Sequence, residues 1–484
     1  MRNICFGIFI FSMLAVFGCE RDDFSSSPSL KLSFSADTVM FDTVFTKIGS
    51  STRHVRVYNR SNHDVNISSI ELAGGSSSYY RLNIDGVAAP ALHNVTLRNG
   101  DSLYVFVEVT VDPTNQNAPL LIADSIVFRT NGNVQDVNLI AWGQDVHLFA
   151  ADTLKQNTVF TADRPYLIYD YLWVPKGVEL QVQEGAALYF HNTAQLVVSG
   201  SLKVHGAAGN PVTFTGDRLE DYYQTKAGQW GGIHLAAGSV DNRIDWAEIR
   251  NAIIGVLVDT VFNSNPTLVM NSTKIENMSY IGLWGRGARI EVSNSLIGSA
   301  AQVSLALTLG GNYKFYHTTI ANYWSQFKYR NGPAVLLNNY YQYKLDQADD
   351  QWLVDPRDLT EATFKNCIIY GTRNEELALD YKFNGSPVNA LLEYSFENCI
   401  VKMPDSFLAA PKFLNVINKD PKFTNPLELN FRLDTLSPAK DFGLVGVGVA
   451  FPFDLDNNSR TADAAPDLGA YERVENPAVG GRKK

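Results

Sequence analysis

Residues 178–216 read VELQVQEGAALYFHNTAQLVVSGSLKVHGAAGNPVTFTG. Apolar residues fall on every second position in very short runs: Val178, Leu180 and Val182; Leu188 and Phe190; Leu196 and Val198; Leu202 and Val204; Val212 and Phe214. Alternation at period two is the strand signal, because successive side chains leave opposite faces of an extended chain. Gly177, Gly185, Gly200, Gly206 and Gly216 punctuate the runs, so no strand is long enough for a hairpin meander. The runs also return. VELQV comes back as GSLKV, with Leu180 and Leu202 22 residues apart, and ALYF comes back as VTF, with Phe190 and Phe214 24 apart. Short strands repeating every 20 to 25 residues with no helical pattern between them predict a solenoid of stacked coils, a parallel β-helix. Each coil then sits roughly 4.8 Å above the last.

The repeat continues downstream. Ile249, Ile275, Ile297 and Ile320 step by 26, 22 and 23 residues. Aligning Ile249 on Ile275 places Glu248 beside Lys274 and Arg250 beside Glu276, the opposite-charge pairing of a solvated sheet face, on which Asp245 also falls. Asn294, His317, Asn366 and Asn398 each stand three before an Ile or Val. Asparagine tolerates the left-handed turn conformation and bonds its stacked copy, so a partial asparagine ladder is expected at one corner. Residues 364–368 (FKNCI) and 396–400 (FENCI) match almost residue for residue, 32 apart. That puts Cys367 above Cys399, either as two buried thiols or as a disulfide that neighbouring strands suit poorly.

The chain has 484 residues, 45% hydrophobic and 12% aromatic, with a formal charge of -10. A mildly acidic surface argues against nucleic acid as a partner and against electrostatic attraction to anionic lipid. Cys5 and Cys19 lie in the N-terminal segment and only Cys367 and Cys399 in the body, so there is no disulfide framework. Arg2, the apolar run from Ile4 to Phe17 and Val16-Phe17-Gly18-Cys19 resemble a bacterial lipoprotein signal with its lipobox. That resemblance implies Cys19 as the lipid-bearing first residue and a membrane attachment through the lipid. Glu20-Arg21-Asp22-Asp23 resembles the surface-export signal of Bacteroidetes lipoproteins, and FSSSPS at 24–29 reads as a tether. Many short alternating runs between 30 and 148, such as Val55 and Val57 or Leu103, Val105 and Val107, predict an antiparallel sandwich. Phe41-Asp42-Thr43-Val44 followed by VRVYNRSNHDVNISSIEL resembles the immunoglobulin-like modules of surface proteins.

Three segments break the repeat: Asp217 to Gln229, Trp324 to Pro356 and Arg373 to Pro387. Insertions in repeat proteins map to loops, often on the functional face. The second carries Trp324, Phe327, Tyr329, Tyr340, Tyr341, Tyr343 and Trp352 with Asn338, Asn339, Asp346, Asp349 and Asp350. Flat rings beside acids and amides fit sugar rings and their hydroxyls. Trp324, Tyr340, Tyr341, Tyr343 and Trp352 are therefore the candidate carbohydrate contacts, on one wall of a shallow groove along a face of parallel strands. No His-x-x-x-His, P-loop or Gly-x-Ser-x-Gly occurs, no metal ligands are assigned, and Asp454-Leu455-Asp456-Asn457-Asn458 reads as a capping turn. Seven Asp-Ser/Thr-apolar triplets, among them Asp37-Thr38-Val39 and Asp434-Thr435-Leu436, resemble the short O-glycan acceptor of Bacteroidetes exported proteins.

DPKF at 420, SPAKDFG at 437, Arg460 and DLGAYE at 467, with YLIYDYLWVPKG, GQWGGIH and NCIIYGTRNEELALD upstream, resemble Bacteroidetes right-handed parallel β-helix lipoproteins with a pectin-lyase-like fold. The resemblance spans roughly 150 to 472 and implies a fold, not a reaction. The expected class is all-β: an N-terminal immunoglobulin-like β-sandwich, then a right-handed parallel β-helix with a C-terminal cap. The boundaries are a signal peptide at 1–18, a tether at 19–29, the sandwich at 30–148, the β-helix at 150–440, the cap at 441–475 and a disordered tail at 476–484. The expected role is a monomeric, surface-anchored outer-membrane lipoprotein that binds or displays, toward glycan and without a cofactor. The alternative is a polysaccharide lyase or glycoside hydrolase using the groove, with Ca2+ entering only under the lyase reading.

Overall fold

The computed structural model describes residues 24–46, 48–113, 120–260, 265–326, 330–344, 353–381 and 390–474. The signal segment and Cys19, the tail from 476, and Phe327, Tyr329, Asp346, Asp349, Asp350 and Trp352 lie outside the described residues. The chain divides after Asp145 into two units.

In the first unit, alternation becomes a two-layer β-sandwich of two five-stranded sheets. Arg53–Tyr58 pairs with Ser102–Val109, which also pairs with Tyr80–Ile84, in one sheet. Val65–Leu72 pairs with Leu120–Thr130 and Ala91–Leu97 in the other. The inward members of the alternating runs, Val55, Val57, Ile67, Val105, Val107 and Ile126, are fully buried. Thr38–Phe45 joins Asn133–Gln144 in parallel, with a register slip at Ile140.

The second unit is the right-handed parallel β-helix. From Glu179–Gln183 to Val303–Thr308 each short strand pairs in parallel with the strand three places on, so the coil has three faces. Sheet 1 runs through Glu179–Gln183, Ser201–His205, Asn242–Asp245, Leu268–Asn271 and Arg289–Ser293. Sheet 2 runs through Ala187–Phe190, Val212–Gly216, Ala247–Arg250, Lys274–Met278 and Leu296–Ala300. Sheet 3 runs through Gln195–Val198, Gly232–Leu235, Ile254–Val258, Ile281–Arg286, Val303–Thr308 and Val335–Asn338.

The stacks expected from spacing are present. Leu180 lies on Leu202, both fully buried. Ile249, Ile275, Ile297 and Ile320 form one column. Phe315, Phe364, Phe396 and Phe413 stack near parallel at 4.7 to 5.0 Å. One register differs. Phe214 lies on Leu188, and Phe190 lies on Gly216. Gly216 brings no side chain, so the Phe190 ring stacks instead on the buried Trp230 ring, 4.2 Å away.

The corner between sheets 1 and 2 is the expected asparagine corner. Asn294, His317, Asn366 and Asn398 have φ of 47, 46, 55 and 47°, the left-handed region that asparagine accepts. The side-chain ladder is partial: Asn366 Nδ2 lies 3.1 Å from His317 Nε2, while Asn398 Nδ2 donates to the Phe442 carbonyl. Immediately after Asn366 and Asn398, Cys367 and Cys399 are buried free thiols, with the Cys367 amide donating to Cys399 Sγ at 3.4 Å.

The C-terminal cap lies along a side of the coil. Phe423, Phe431 and Leu433, which precede the expected cap, pack with its Leu455, Leu468 and Tyr471 on Leu296, Ala321, Ile368 and Ile400 of the outer face of sheet 2. The outward positions of sheet 2 are apolar where this segment covers them. Arg460, 1% exposed, pins the cap. It donates to Asn294 Oδ1 at 3.1 Å, to Glu472 Oε1 at 2.6 Å and to the Gly469 carbonyl at 3.0 Å. Asp454 closes the DLDNN turn by accepting from the Asp456, Asn458 and Glu472 amides.

Candidate functional site

The segment from Trp324 to Pro356 is not one insertion. A regular rung of sheet 3, Val335–Asn338, runs through it, and likewise Leu377–Asp380 runs through the segment 373–387. Short apolar runs among many aromatics hid these rungs. The candidate aromatics therefore separate. Trp324, 8% exposed, stands at the corner between sheets 2 and 3. Tyr340–Tyr343 pairs with Leu353–Pro356 as an antiparallel hairpin after sheet 3. Trp352 lies outside the described residues.

Within the hairpin the tyrosines differ in setting. Tyr340 donates its hydroxyl to Asp380 Oδ2 at 2.8 Å. Burial, then the bond to Asp380, pushes this phenol up to about 12. Tyr341 is half exposed and stacks on Tyr343 at 5.5 Å with planes 14° apart.

The hairpin adjoins the outer face of sheet 3, whose strand pairing builds two columns. One is apolar and aromatic: Trp173, Val197, His234, Leu257, Trp284, Ala306, Leu336 and Ala378 stand on successive rungs. Trp173 is 40% exposed, and Tyr171 and Tyr280 beside this column are similarly open. The second, at the strand ends, is polar: Asp259, Arg286, Thr308, Asn338 and Asp380. Asp259 sits 2.8 Å from His234 Nε2 and accepts from Arg286 Nε at 2.6 Å. Burial pushes its carboxyl up, but the His234 and Arg286 bonds outweigh that and leave it below the ordinary carboxylate value. Trp284 Nε1 donates to Thr308 Oγ1 at 3.0 Å, fixing the ring beside the polar column. Asn338 Nδ2 reaches Asp380 Oδ2 at 3.3 Å.

Trp324 belongs to a different feature, a cleft of about 620 Å³ at the corner between sheets 2 and 3. This corner is a second asparagine corner, with Asn251 and Asn277 at φ of 61 and 65° and Asn277 Nδ2 donating to Asn251 Oδ1 at 2.6 Å. Both stand two after an isoleucine of the Ile249–Ile275 column, a spacing from which the corner was readable. The break at 217–229 supplies one wall. The carbonyl of Thr225 accepts from Asn277, and Gln326 Nε2 lies 2.5 Å from Asn277 Oδ1. Leu429, Asn430 and Arg432 of the C-terminal segment form another wall.

The pairings of Glu248 with Lys274 and Arg250 with Glu276 are present in register. Lys274 Nζ meets Glu248 Oε1 at 3.1 Å, but Arg250 folds back onto Glu248 of its own strand. Glu276 is not on a solvated face as expected: it is 6% exposed, because the cap closes over it. Burial pushes its carboxyl up to about 7, with Arg250 and Lys274 opposing. Among the described residues no group of three or more His, Cys, Asp and Glu is placed to hold a metal ion.

No protein-family model matches the chain, and no curated protein matches it. Among solved structures it is similar to pectate lyase Pel9A, at 13% identity over 68% of this chain and 88% of that one, TM-score 0.29. It is also similar to the catalytic unit of a thermostable GH87 alpha-1,3-glucanase from Streptomyces thermodiastaticus, at 11% identity over 72% and 79%, TM-score 0.27. A family 123 glycoside hydrolase from Clostridium perfringens aligns at 8% identity over 25% of this chain and only 30% of its own length, TM-score 0.18. At these scores the β-helix assignment rests on the strand pairing of this chain, and the activities in those names stay with those proteins.

Proposed function

We propose that the protein is a lipid-anchored outer-membrane scaffold that binds a glycan along the outer face of sheet 3. The observation that carries this reading is the pair of columns on that face. Trp173 and Trp284 stand in one column, four rungs apart, or roughly 19 Å at the usual strand spacing. Beside its later rungs, from Leu257 to Ala378, runs a row of carboxylates, an amide, a hydroxyl and a guanidinium. Ring faces take the apolar faces of sugars while the row exchanges hydrogen bonds with their hydroxyls. One rung advances by about the length of one sugar residue, so a chain laid along the coil axis meets the same two chemistries repeatedly. Tyr341, half exposed at the hairpin, lies beyond the polar row, beside Thr260, Leu309 and Asn312. The N-terminal lipobox with Cys19 supports the anchoring, and the acidic residues after it support export to the surface.

A glycan array probed with the full chain in detergent tests the reading. Trp284→Ala and Trp173→Ala should each weaken the hits by about 1–3 kcal/mol, the range for an aromatic at the centre of a contact. Melting of Trp173→Ala should stay near wild type, because that ring is open to solvent. Hits that survive in both variants would place the glycan elsewhere.

A further inference from the structure

Glu276 is buried beyond nine-tenths and lines the cleft between sheets 2 and 3, and its side-chain carboxylate receives no hydrogen bond or ion pair among the described residues. A carboxylate in that position costs free energy unless donors reach it. Its own coil stack supplies none. The next rung presents Gly298 opposite Glu276, and the Phe431 ring closes over that glycine, 3.0 Å from where a Cβ would stand. The rung before presents Arg250, which is spent on Glu248. The cleft that Glu276 lines is open to donors from a ligand.

The charges around it narrow the donor. Arg250, Lys274 and Arg432 face Glu276 from sheet 2 and from the C-terminal segment, with Glu248 behind them and Tyr471 over them. A ligand ammonium group would meet three cations. A ligand carboxylate or sulfate would meet Glu276 itself and Glu428 of the cleft lining, with every one of the three cations already paired: Lys274 and Arg250 to Glu248, and Arg432 to Asp456 through two bonds of 2.6 and 2.7 Å. Uncharged hydroxyls escape both penalties, and two neighbouring ones match the two oxygens of a carboxylate. Tyr323, partly exposed, lines the same cleft and supplies ring surface, and about 620 Å³ admits one or two sugar rings.

We infer that this cleft is a second saccharide site, which takes an uncharged sugar residue through two adjacent hydroxyls donated to the Glu276 carboxylate. It lies apart from the sheet 3 columns and does not rest on them. Hydroxyl donors favour the ionised carboxylate, so binding expels the proton from Glu276. Affinity therefore rises with pH through about 7, the value at which the free group titrates, by about tenfold between pH 6 and pH 8 if only the ionised form binds.

The test uses the full chain in detergent and an array of uncharged, uronate-bearing and amine-bearing oligosaccharides, read at pH 6 and pH 8. Uncharged oligosaccharides should bind, more tightly at pH 8, and calorimetry on a hit in two buffers at pH 7 should record proton release. Glu276→Gln, of the same shape, should lose the pH dependence and at least tenfold in affinity at pH 8. The paired Trp173→Ala and Trp284→Ala variant should keep both. A preference for uronate-bearing or amine-bearing probes, no uncharged hit, or binding without proton release by the wild type would overturn the inference, with no variant needed. So would hits abolished by the tryptophan pair and untouched by Glu276→Gln, which belong to sheet 3.

Discussion

Glu276 shows how one residue changes meaning with its surroundings. An ordinary glutamate titrates near 4.5, and here burial moves the group to about 7. The folded protein thus holds that proton more tightly than the unfolded chain does. The cost of the buried charge is absent below about pH 4.5, grows as pH rises, and is complete above about pH 7. Glu276→Gln should accordingly raise stability at pH 8 by about 3 kcal/mol, since each pH unit between the unfolded and folded titration points is worth about 1.36 kcal/mol. It should change little at pH 4.5. Chemical denaturation at the two pH values checks this, and an equal effect at both would mean that packing, not charge, is responsible. Cys367 and Cys399 are a second residue-scale case. Their stacking followed from the repeat of FKNCI and FENCI, and both are free thiols in the core.

Among the elements, the C-terminal segment depends most on a few contacts. Arg460 is buried and joins three partners from two parts of the fold: Asn294 at a solenoid corner, and Glu472 and Gly469 within the cap itself. Removing one partner of a buried pair leaves the other uncompensated, which costs about 3–5 kcal/mol. Arg460→Ala should expose the segment after residue 418 to limited proteolysis while the coils it covers stay resistant. Arg460→Lys should not rescue it, because one ammonium cannot reproduce the planar fork of donors. Cleavage patterns identical to wild type in both variants would refute the pin. The same segment explains why Leu296, Ala321, Ile368 and Ile400 are apolar on the outer side of sheet 2.

At the scale of the molecule, the proposed lipid attachment would decide where the protein works. The lipobox reading makes Cys19 the acceptor of the lipid. Cys19→Ala should shift the protein from the membrane to the soluble fraction, since it removes the thiol that carries the acyl chains. Fractionation with the membranes as in wild type would sink the lipoprotein reading and leave the β-helix untouched.

The repeat by itself determined the β-helix. Alternation at period two, glycine punctuation and returns of 22 to 26 residues are local properties, and stacking identical short strands is the one arrangement that buries their inward side chains. Leu180 over Leu202, the isoleucine column and the left-handed asparagines at Asn294, Asn366 and Asn398 were all legible for that reason. The sites were less so. Trp324 and the tyrosines at 340, 341 and 343 look like one cluster in sequence, yet Val335–Asn338 carries the chain from one corner to another between them. The columns of sheet 3 join residues far apart in the chain, such as Trp173 and Val197, with no motif to mark them. Glu276 read as one half of a surface charge pair until the C-terminal segment, with Phe431 and Tyr471, closed over it. Burial by distant sequence is set by how the finished surfaces fit, so only the tertiary structure decided which carboxylate is left without a donor and which rings share a face.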